Sequence, residues 1–262
     1  MKKRIGRVAL LIALLFAALV AVPVMASAEN GEGNAEFDEQ IRKADELFLD
    51  GGLDNYKEAM EIYKDVISRD PENYEAHWKG ARSIREYGEE HLRLGKPDYE
   101  EACREYGRKG MEYAEKAMAL NPDHPGGYLY YGINVGTYSE GVGIVTALRE
   151  GLKDKTQENF ETAYEMDPHF EMGAPILSLG RFWQVVPWPY RDTDKAEELF
   201  REYQETEYWD EVIEGRIYLA ELLKGRWGRR HKAEARELLE AALEMDAHEY
   251  WHDMAREMLD DL

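Results

Sequence analysis

Three times the chain ends a run of helix-favouring residues on Asp-Pro or Asn-Pro: Ser68-Arg69-Asp70-Pro71-Glu72-Asn73, Ala119-Leu120-Asn121-Pro122-Asp123-His124 and Glu165-Met166-Asp167-Pro168-His169-Phe170. An Asp or Asn ahead of Pro stops one helix and is expected to cap the next, its side chain accepting the first orphan N–H while Pro takes the first helical position. A fourth copy, Glu244-Met245-Asp246-Ala247-His248, keeps the acid and loses the Pro. Pro71, Pro122 and Pro168 are spaced by 51 and 46 residues, the length of a helical hairpin plus a loop. Recurrence on that scale predicts a helical solenoid, and solenoids bind other molecules far more often than they catalyse.

The start of the chain reads as an export signal. Lys2, Lys3, Arg4 and Arg7 precede an apolar run from Val8 to Val22, and Ala26-Ser27-Ala28 supplies small residues before the polar Glu29. This is the pattern of a secretory signal peptide, residues 1–28, cleaved after Ala28 to release an exported, periplasmic chain. A retained membrane anchor is the alternative reading of the same stretch. Residues 29–36 are polar and Gly-rich and are expected to form a flexible linker, with one repeat domain over 37–262. The lone Cys103 allows no internal disulfide, and Ala28 stands where a lipidated chain would carry Cys. The formal charge of −21 repels phosphate backbones, so nucleic acid is not an expected partner. A basic or apolar partner is one explanation of that charge, and plain solubility of acidic helix faces is the other.

Helical periodicity runs from about Phe37 to Leu262 without a β-type alternation, so the expected fold is all-α. Tyr128-Leu129-Tyr130-Tyr131-Gly132 opens one hairpin, and Phe160, Ala163 and Pro168 close it. Ile176, Leu179, Gly180 and Trp183 open the next, with Ala196 and Phe200 in its second helix. Arg216, Leu219, Ala220 and Leu223 open a fifth, answered by Ala235, Leu239 and Ala242. Ala44, Ala59, Tyr63 and Pro71 mark the first hairpin, and Ala81, Ala117 and Pro122 the second. This pattern resembles the tetratricopeptide repeat, with small residues where paired helices approach closely. The resemblance implies a right-handed solenoid of about five hairpins. The segment from His248 to Leu262 then serves as a capping helix with a polar outer face. Gly88 to Asp98, Gly141 to Lys155 and Val185 to Asp194 stand as insertions within hairpins, and for the middle one the expectation is extra helix.

Between residues 128 and 200 the resemblance narrows. Tyr128 to Gly136 and Gly173-Ala174-Pro175-Ile176-Leu177-Ser178-Leu179-Gly180-Arg181, then Pro187, Pro189 and Asp194 to Phe200, resemble the T component of TRAP transporters. That family implies an exported accessory that docks a solute-binding protein feeding a transporter of small organic acids or apolar ligands. A general envelope scaffold without a small-molecule ligand is the alternative, and self-association into a homo-oligomer is open to either.

In such hairpins the first helix lines the concave face, and groove positions follow packing positions by about 100°. This places Trp78, Arg82, Arg85 and Glu86 in the groove, then Leu129, Ile133 and Thr137, then Arg181 and Gln184. Arg82, Arg85 and Arg181 are candidates to receive a ligand's or partner's carboxylate through guanidinium forks, against the alternative of pairing with Glu86 and Glu89. Trp183 reads as core, whereas Trp188 and Tyr190, beside Pro187 and Pro189, form a candidate exposed anchor. His248-Glu249-Tyr250-Trp251-His252 matches the zinc-binding H-E-x-x-H pattern. It opens at a helix cap with no downstream third ligand, and reads as a chance match. No catalytic constellation, metal or cofactor is assigned, and the chain is not expected to be an enzyme.

Overall fold

The computed structural model describes residues 27–262. Its helices are α1 (Ser27–Asp50), α2 (Leu53–Arg69), α3 (Tyr74–Arg93), α4 (Tyr99–Leu120), α5 (Pro125–Val142), a short α6 (Ile144–Arg149), α7 (Leu152–Met166), α8 (Phe170–Val185), α9 (Thr193–Gln204), α10 (Ile213–Gly225), α11 (Arg229–Leu243) and α12 (Glu249–Asp260). No strand occurs among the described residues. From Phe37 onward the helices pair as α1 with α2, α3 with α4, α5 with α7, α8 with α9, and α10 with α11. These five hairpins are followed by α12, whose Asp253, Glu257, Asp260 and Asp261 face solvent. The architecture is the all-α solenoid that the repeat predicts. The signal-peptide assignment falls on residues 1–28 and lies, up to residue 26, outside the described residues.

Helix α1 begins at Ser27 and runs through residues 29–36, and the repeat unit is counted from Phe37. The start of the first insertion differs from expectation: α3 stays helical through Gly88 to Arg93, supported by Arg93 pairing with Glu90 and Glu89 at i,i+3 and i,i+4. The stretch 141–155 is largely helix, as expected.

The repeated Asp/Asn-Pro junction works differently from the expected cap. Asp70, Asn121 and Asp167 are the C-terminal caps of α2, α4 and α7. Their side chains bond to the N–H two residues on, those of Glu72, Asp123 and His169, so each builds an Asx-turn around its Pro. Pro therefore sits in the turn. The next helix starts three or four residues after the Asx, and two of these helices are capped by another side chain: Asn73 accepts from Ala76 N–H (2.9 Å) and His124 Nδ1 from Gly126 N–H (3.0 Å). His248 Nδ1 repeats the arrangement with Tyr250 N–H (3.1 Å).

Three apolar clusters run along the solenoid. The first joins Ala44, Ala59, Tyr63 and Ala76, the second Trp78, Leu129, Phe160 and Leu179, and the third Phe200, Ile217, Leu239 and Met258. The closest approach is α4 on α5. A Cβ at Gly107 would stand 2.4 Å from the backbone nitrogen of Tyr138, and one at Gly110 would stand 1.8 Å from Asn134 Oδ1. Backbone cannot yield as a flexible side chain does, so Gly107→Ala is expected to cost about 2 kcal/mol net of its helix-propensity gain. A fall in the urea midpoint with unchanged helical circular dichroism is the expected reading; an unchanged midpoint would mean the two helices can part at no cost.

Candidate functional site

The first helices of the hairpins share one face, and their polar side chains meet there in two groups. The first group centres on Arg82 of α3, which is 7% exposed. Its Nη1 donates to both carboxylate oxygens of Glu171 (3.0 and 3.1 Å) and its Nη2 to Asp45 of α1 (2.8 Å). The guanidinium lies 3.9 Å from the centre of the Phe48 ring and 5.3 Å from that of Trp78. Asp45 also takes the hydroxyl of Tyr63 (2.7 Å) and the ammonium of Lys79, and Glu171 takes the hydroxyl of Tyr130 (3.0 Å). Burial pushes the Tyr130 phenol far up, with the Glu171 carboxylate adding to it, so Tyr130 stays a donor.

Glu171 reaches Arg82 from an unusual backbone. Glu171 (φ 48°, ψ 56°), Met172 (φ 59°, ψ 37°) and Gly173 (φ 76°, ψ 20°) form one left-handed turn ahead of the regular part of α8. For Glu and Met that conformation costs on the order of 1–2 kcal/mol each. The surroundings hold it: Arg82 and Tyr130 grip Glu171, the Tyr203 hydroxyl donates to Met172 O (3.1 Å), and a Cβ at position 173 would stand 2.7 Å from the Tyr203 ring.

The second group lies one to three turns further along α3. Arg85 pairs with Glu86 and with Glu89 (2.7 Å), while Arg93 pairs with Glu86 (2.8 Å), Glu90 (3.3 Å) and Glu89 (3.6 Å). Thr137 of α5 donates to Glu89 (2.8 Å), and His248 at the head of α12 comes within 3.7 Å of Glu90. Arg181 of α8 pairs with Glu221 of α10, and the Gln184 amide donates to Tyr218 O (3.3 Å). Burial alone would raise the Glu86 carboxyl, but Arg85 and Arg93 outweigh it and hold it at about 2. Glu214 shows the opposite balance: burial keeps its carboxyl above the usual range against the pull of Arg93 and Arg85. Glu140 is also raised, by burial and by Glu89, with Arg181 opposing.

Of the expected groove residues, Arg82, Arg85, Arg181, Gln184 and Thr137 do come to this face. The three arginines are already paired, with Glu171 and Asp45, Glu86 and Glu89, and Glu221 respectively, so none stands free for an incoming carboxylate. Leu129 does not line the groove: it is fully buried in the second cluster, together with Trp78, and Ile133 packs against that cluster. The reason is helical rotation. Tyr130 follows Leu129 by about 100°, enough to pass from the core side of α5 to its polar side. Tyr130 is the α5 residue that presents its polar tip instead, and Trp78 supports it from the core as a stacked neighbour at 5.9 Å.

Asp45, Lys79, Tyr130, Glu171, Arg93 and Glu90 are not among the expected residues. Arg93 is findable as an i,i+3 and i,i+4 partner of Glu90 and Glu89; Glu171 is not, because nothing in Phe170-Glu171-Met172-Gly173 besides the glycine signals a left-handed turn. Trp188 and Tyr190 are exposed, 86% and 46%, but on the connection between α8 and α9 and not on the inner face. In the H-E-x-x-H stretch, His248 spends Nδ1 on capping α12, His252 Nε2 meets Met245 O (3.0 Å), and Glu249 pairs with Arg256. Among the described residues no group of three or more His, Cys, Asp and Glu is arranged to hold a metal. Cys103 is buried against Gly88 O, and burial pushes its thiol up to about 12.

Residues 40–186 match the family model described as regulator of microtubule dynamics protein 1-3. In fold the chain is similar to TTC0263, a thermophilic TPR protein in Thermus thermophilus, with a TM-score of 0.58 and 18% identity over 85% of this chain and 98% of that one. It is also similar to the MamA protein, at a TM-score of 0.47 and 16% identity over 86% of this chain and 96% of that one. No curated protein sequence matches the chain. The tetratricopeptide-like architecture inferred from the repeat is thus found again in a solved structure.

Proposed function

Because the chain belongs to the regulator of microtubule dynamics protein 1-3 family, we propose that it acts without a reaction of its own, by holding a protein partner against the inner face of its helical repeats. The observation that carries this reading is the inner face itself. Charged and hydroxyl side chains of α3, α5, α8 and α10 are gathered there on a rigid frame, which suits the polar surface of another protein.

The apolar leader of residues 1–28 supports a finer reading, in which the mature chain works in the periplasm. The resemblance over residues 128–200 supports a solute-binding protein of a TRAP-type transporter as the partner. The paired state of the inner arginines favours a scaffold role over capture of a small carboxylate, which would have to displace Glu171, Glu86 or Glu221 first. A small hydrophobic ligand finds less support, since Leu129 is sealed in the core.

The test is affinity capture by the full chain from envelope extracts of its own host, comparing wild type with a Glu140→Lys/Glu221→Lys variant that reverses charge at the groove rim. Recovery of a solute-binding protein by wild type, reduced about tenfold or more in the variant, is the expected result. Recovery of envelope enzymes with the same dependence would replace transport by scaffolding. Capture indifferent to both substitutions would remove the groove from the reading.

A further inference from the structure

The exposed apolar side chains of this protein are not scattered. Nine large ones are exposed among the described residues, and seven sit at the five connections within hairpins. Leu49 (79%) lies at the first, Leu94 (47%) at the second, Val145 (51%) at the third, Trp188 (86%) at the fourth and Trp227 (96%) at the fifth, with Ile144 and Tyr190 beside the third and fourth. Connections of this kind project from one edge of a solenoid. Contacts tie neighbouring ones together: Lys153 Nζ lies 4.7 Å from the Tyr190 ring centre, and Arg226 bonds to Thr193 O (3.1 Å) and Asp194 (2.6 Å) at the head of α9.

Charge separates the two edges as well. The connections between hairpins, residues 70–73, 121–124, 167–169, 205–212 and 244–248, hold ten Asp and Glu and no Lys or Arg. Those within hairpins, residues 51–52, 94–98, 143–151, 186–192 and 226–228, hold four basic residues and three acidic ones. The first turns of α2 and α4 at this edge carry Asp54, Glu100 and Glu101, whereas that of α11, beside Trp227, has no acidic residue and carries Arg229, Arg230 and Lys232, which have no carboxylate partner among the described residues. Cations at a helix start oppose the helix dipole, so their placement there calls for an anionic neighbour.

We propose that this edge is a docking surface for an anionic lipid bilayer, with Trp188 and Trp227 entering the interfacial layer and Arg229, Arg230 and Lys232 meeting lipid phosphates. Indole rings favour the boundary between headgroup and acyl chain, and each basic residue near an anionic surface adds attraction that salt screens. The aromatic tips stand on separate, solvent-surrounded loops rather than around a hollow. A soft surface receives such tips without shape complementarity, which a folded partner would require. The acidic opposite edge is repelled by the same bilayer, so charge also orients the molecule and leaves the inner face open to the side.

The experiment uses tryptophan fluorescence of the full chain with vesicles of brominated phosphatidylcholine containing about 30 mol% phosphatidylglycerol. Residues 1–77 contain no tryptophan, so quenching reports the repeat domain however the leader behaves. Wild type is expected to be quenched, and Trp188→Ala/Trp227→Ala to lose that quenching. Arg229→Glu/Arg230→Glu/Lys232→Glu, which keeps both rings, is expected to need at least about tenfold more lipid. All these side chains are solvent-facing, so unchanged thermal unfolding checks that the fold is intact. No quenching in wild type, or equal quenching by vesicles lacking phosphatidylglycerol, would overturn the proposal. A Trp-dependent dimer in sedimentation velocity without vesicle binding would assign the edge to a second copy of the chain and overturn it equally.

Discussion

Replacing Arg82 by Leu is expected to lower the unfolding free energy by about 3–5 kcal/mol, the range for removing one partner from a buried ion pair. Arg82 is shared by two carboxylates, and they do not suffer alike. Asp45 keeps Lys79 and the Tyr63 hydroxyl, whereas Glu171 keeps only the hydroxyl of Tyr130. Glu171 is also the first residue of the left-handed turn, so its grip on Arg82 offsets the backbone cost of that turn. Two consequences can be read separately in urea unfolding. The single variant Arg82→Leu should show the full loss, and Arg82→Leu/Glu171→Gln should recover part of it, because the uncompensated charge has gone while the strain remains. A coupling energy on the order of 2 kcal/mol is expected from that cycle. Additive losses would mean that Asp45 alone accounts for the role of Arg82, and that the turn is held by Tyr203 and packing.

The order of the helices and the identity of the paired faces are legible in the sequence because both follow from local rules. Small residues such as Ala81, Ala117 and Gly180 mark close approach, and an Asx ahead of Pro marks a stop. The stop is legible and the following cap is not, since an Asx-turn and an N-cap need the same residue types. Which one forms depends on whether Pro falls in the turn or at the first helical position, and Asn73 and His124 three residues on supply better caps. Groove residues are legible in part for a different reason. Their helix and rough face follow from periodicity, but one position is worth about 100° of rotation, so a face assigned to within one position does not separate Leu129, which lies in the core, from Tyr130, which comes forward. Arg82 meeting Glu171, 89 residues away, depends on how tightly the superhelix is wound, which no local pattern encodes.

The same winding explains why the inner face carries so many opposed charges. Helix α3 supplies Arg82, Arg85 and Arg93, and their partners come from its own turns and from α1 and α8, while His248 ahead of α12 approaches Glu90. Carboxylates and guanidiniums that face each other across a wound solenoid fix its pitch more narrowly than apolar contact does, because a misplaced apolar contact loses little and a misplaced buried charge loses much. A partner docking on this face therefore meets a surface whose shape is already set, and the entropy lost on binding falls mainly on the partner.

Acid should dissect that face carboxylate by carboxylate. Glu86 has a folded-state value of about 2 against an ordinary 4.5, so its stabilising contribution is complete above the unfolded value and is lost as pH falls from about 4.5 toward 2. A depression of that size corresponds to about 3 kcal/mol. Glu214 and Glu140 are raised, so their sign is reversed: they bind protons more readily in the folded state, and stability rises as pH falls through their elevated range. Stability is thus expected to increase slightly from neutral pH toward about 5, then to fall steeply below about 4.5. Arg93→Ala separates the contributions. At about pH 7 it strips Glu86, Glu89 and Glu90 of a shared partner and should cost about 3–5 kcal/mol. At about pH 1.5, below the folded-state value of Glu86, that carboxyl is protonated and needs no cation, so the cost should shrink to about 1 kcal/mol, that of the lost side-chain packing. Urea midpoints of wild type and variant at the two pH values measure the difference directly. A cost that stays constant with pH would show that Arg93 supports α3 by packing its stem and that the carboxylates around it are satisfied by Arg85 alone.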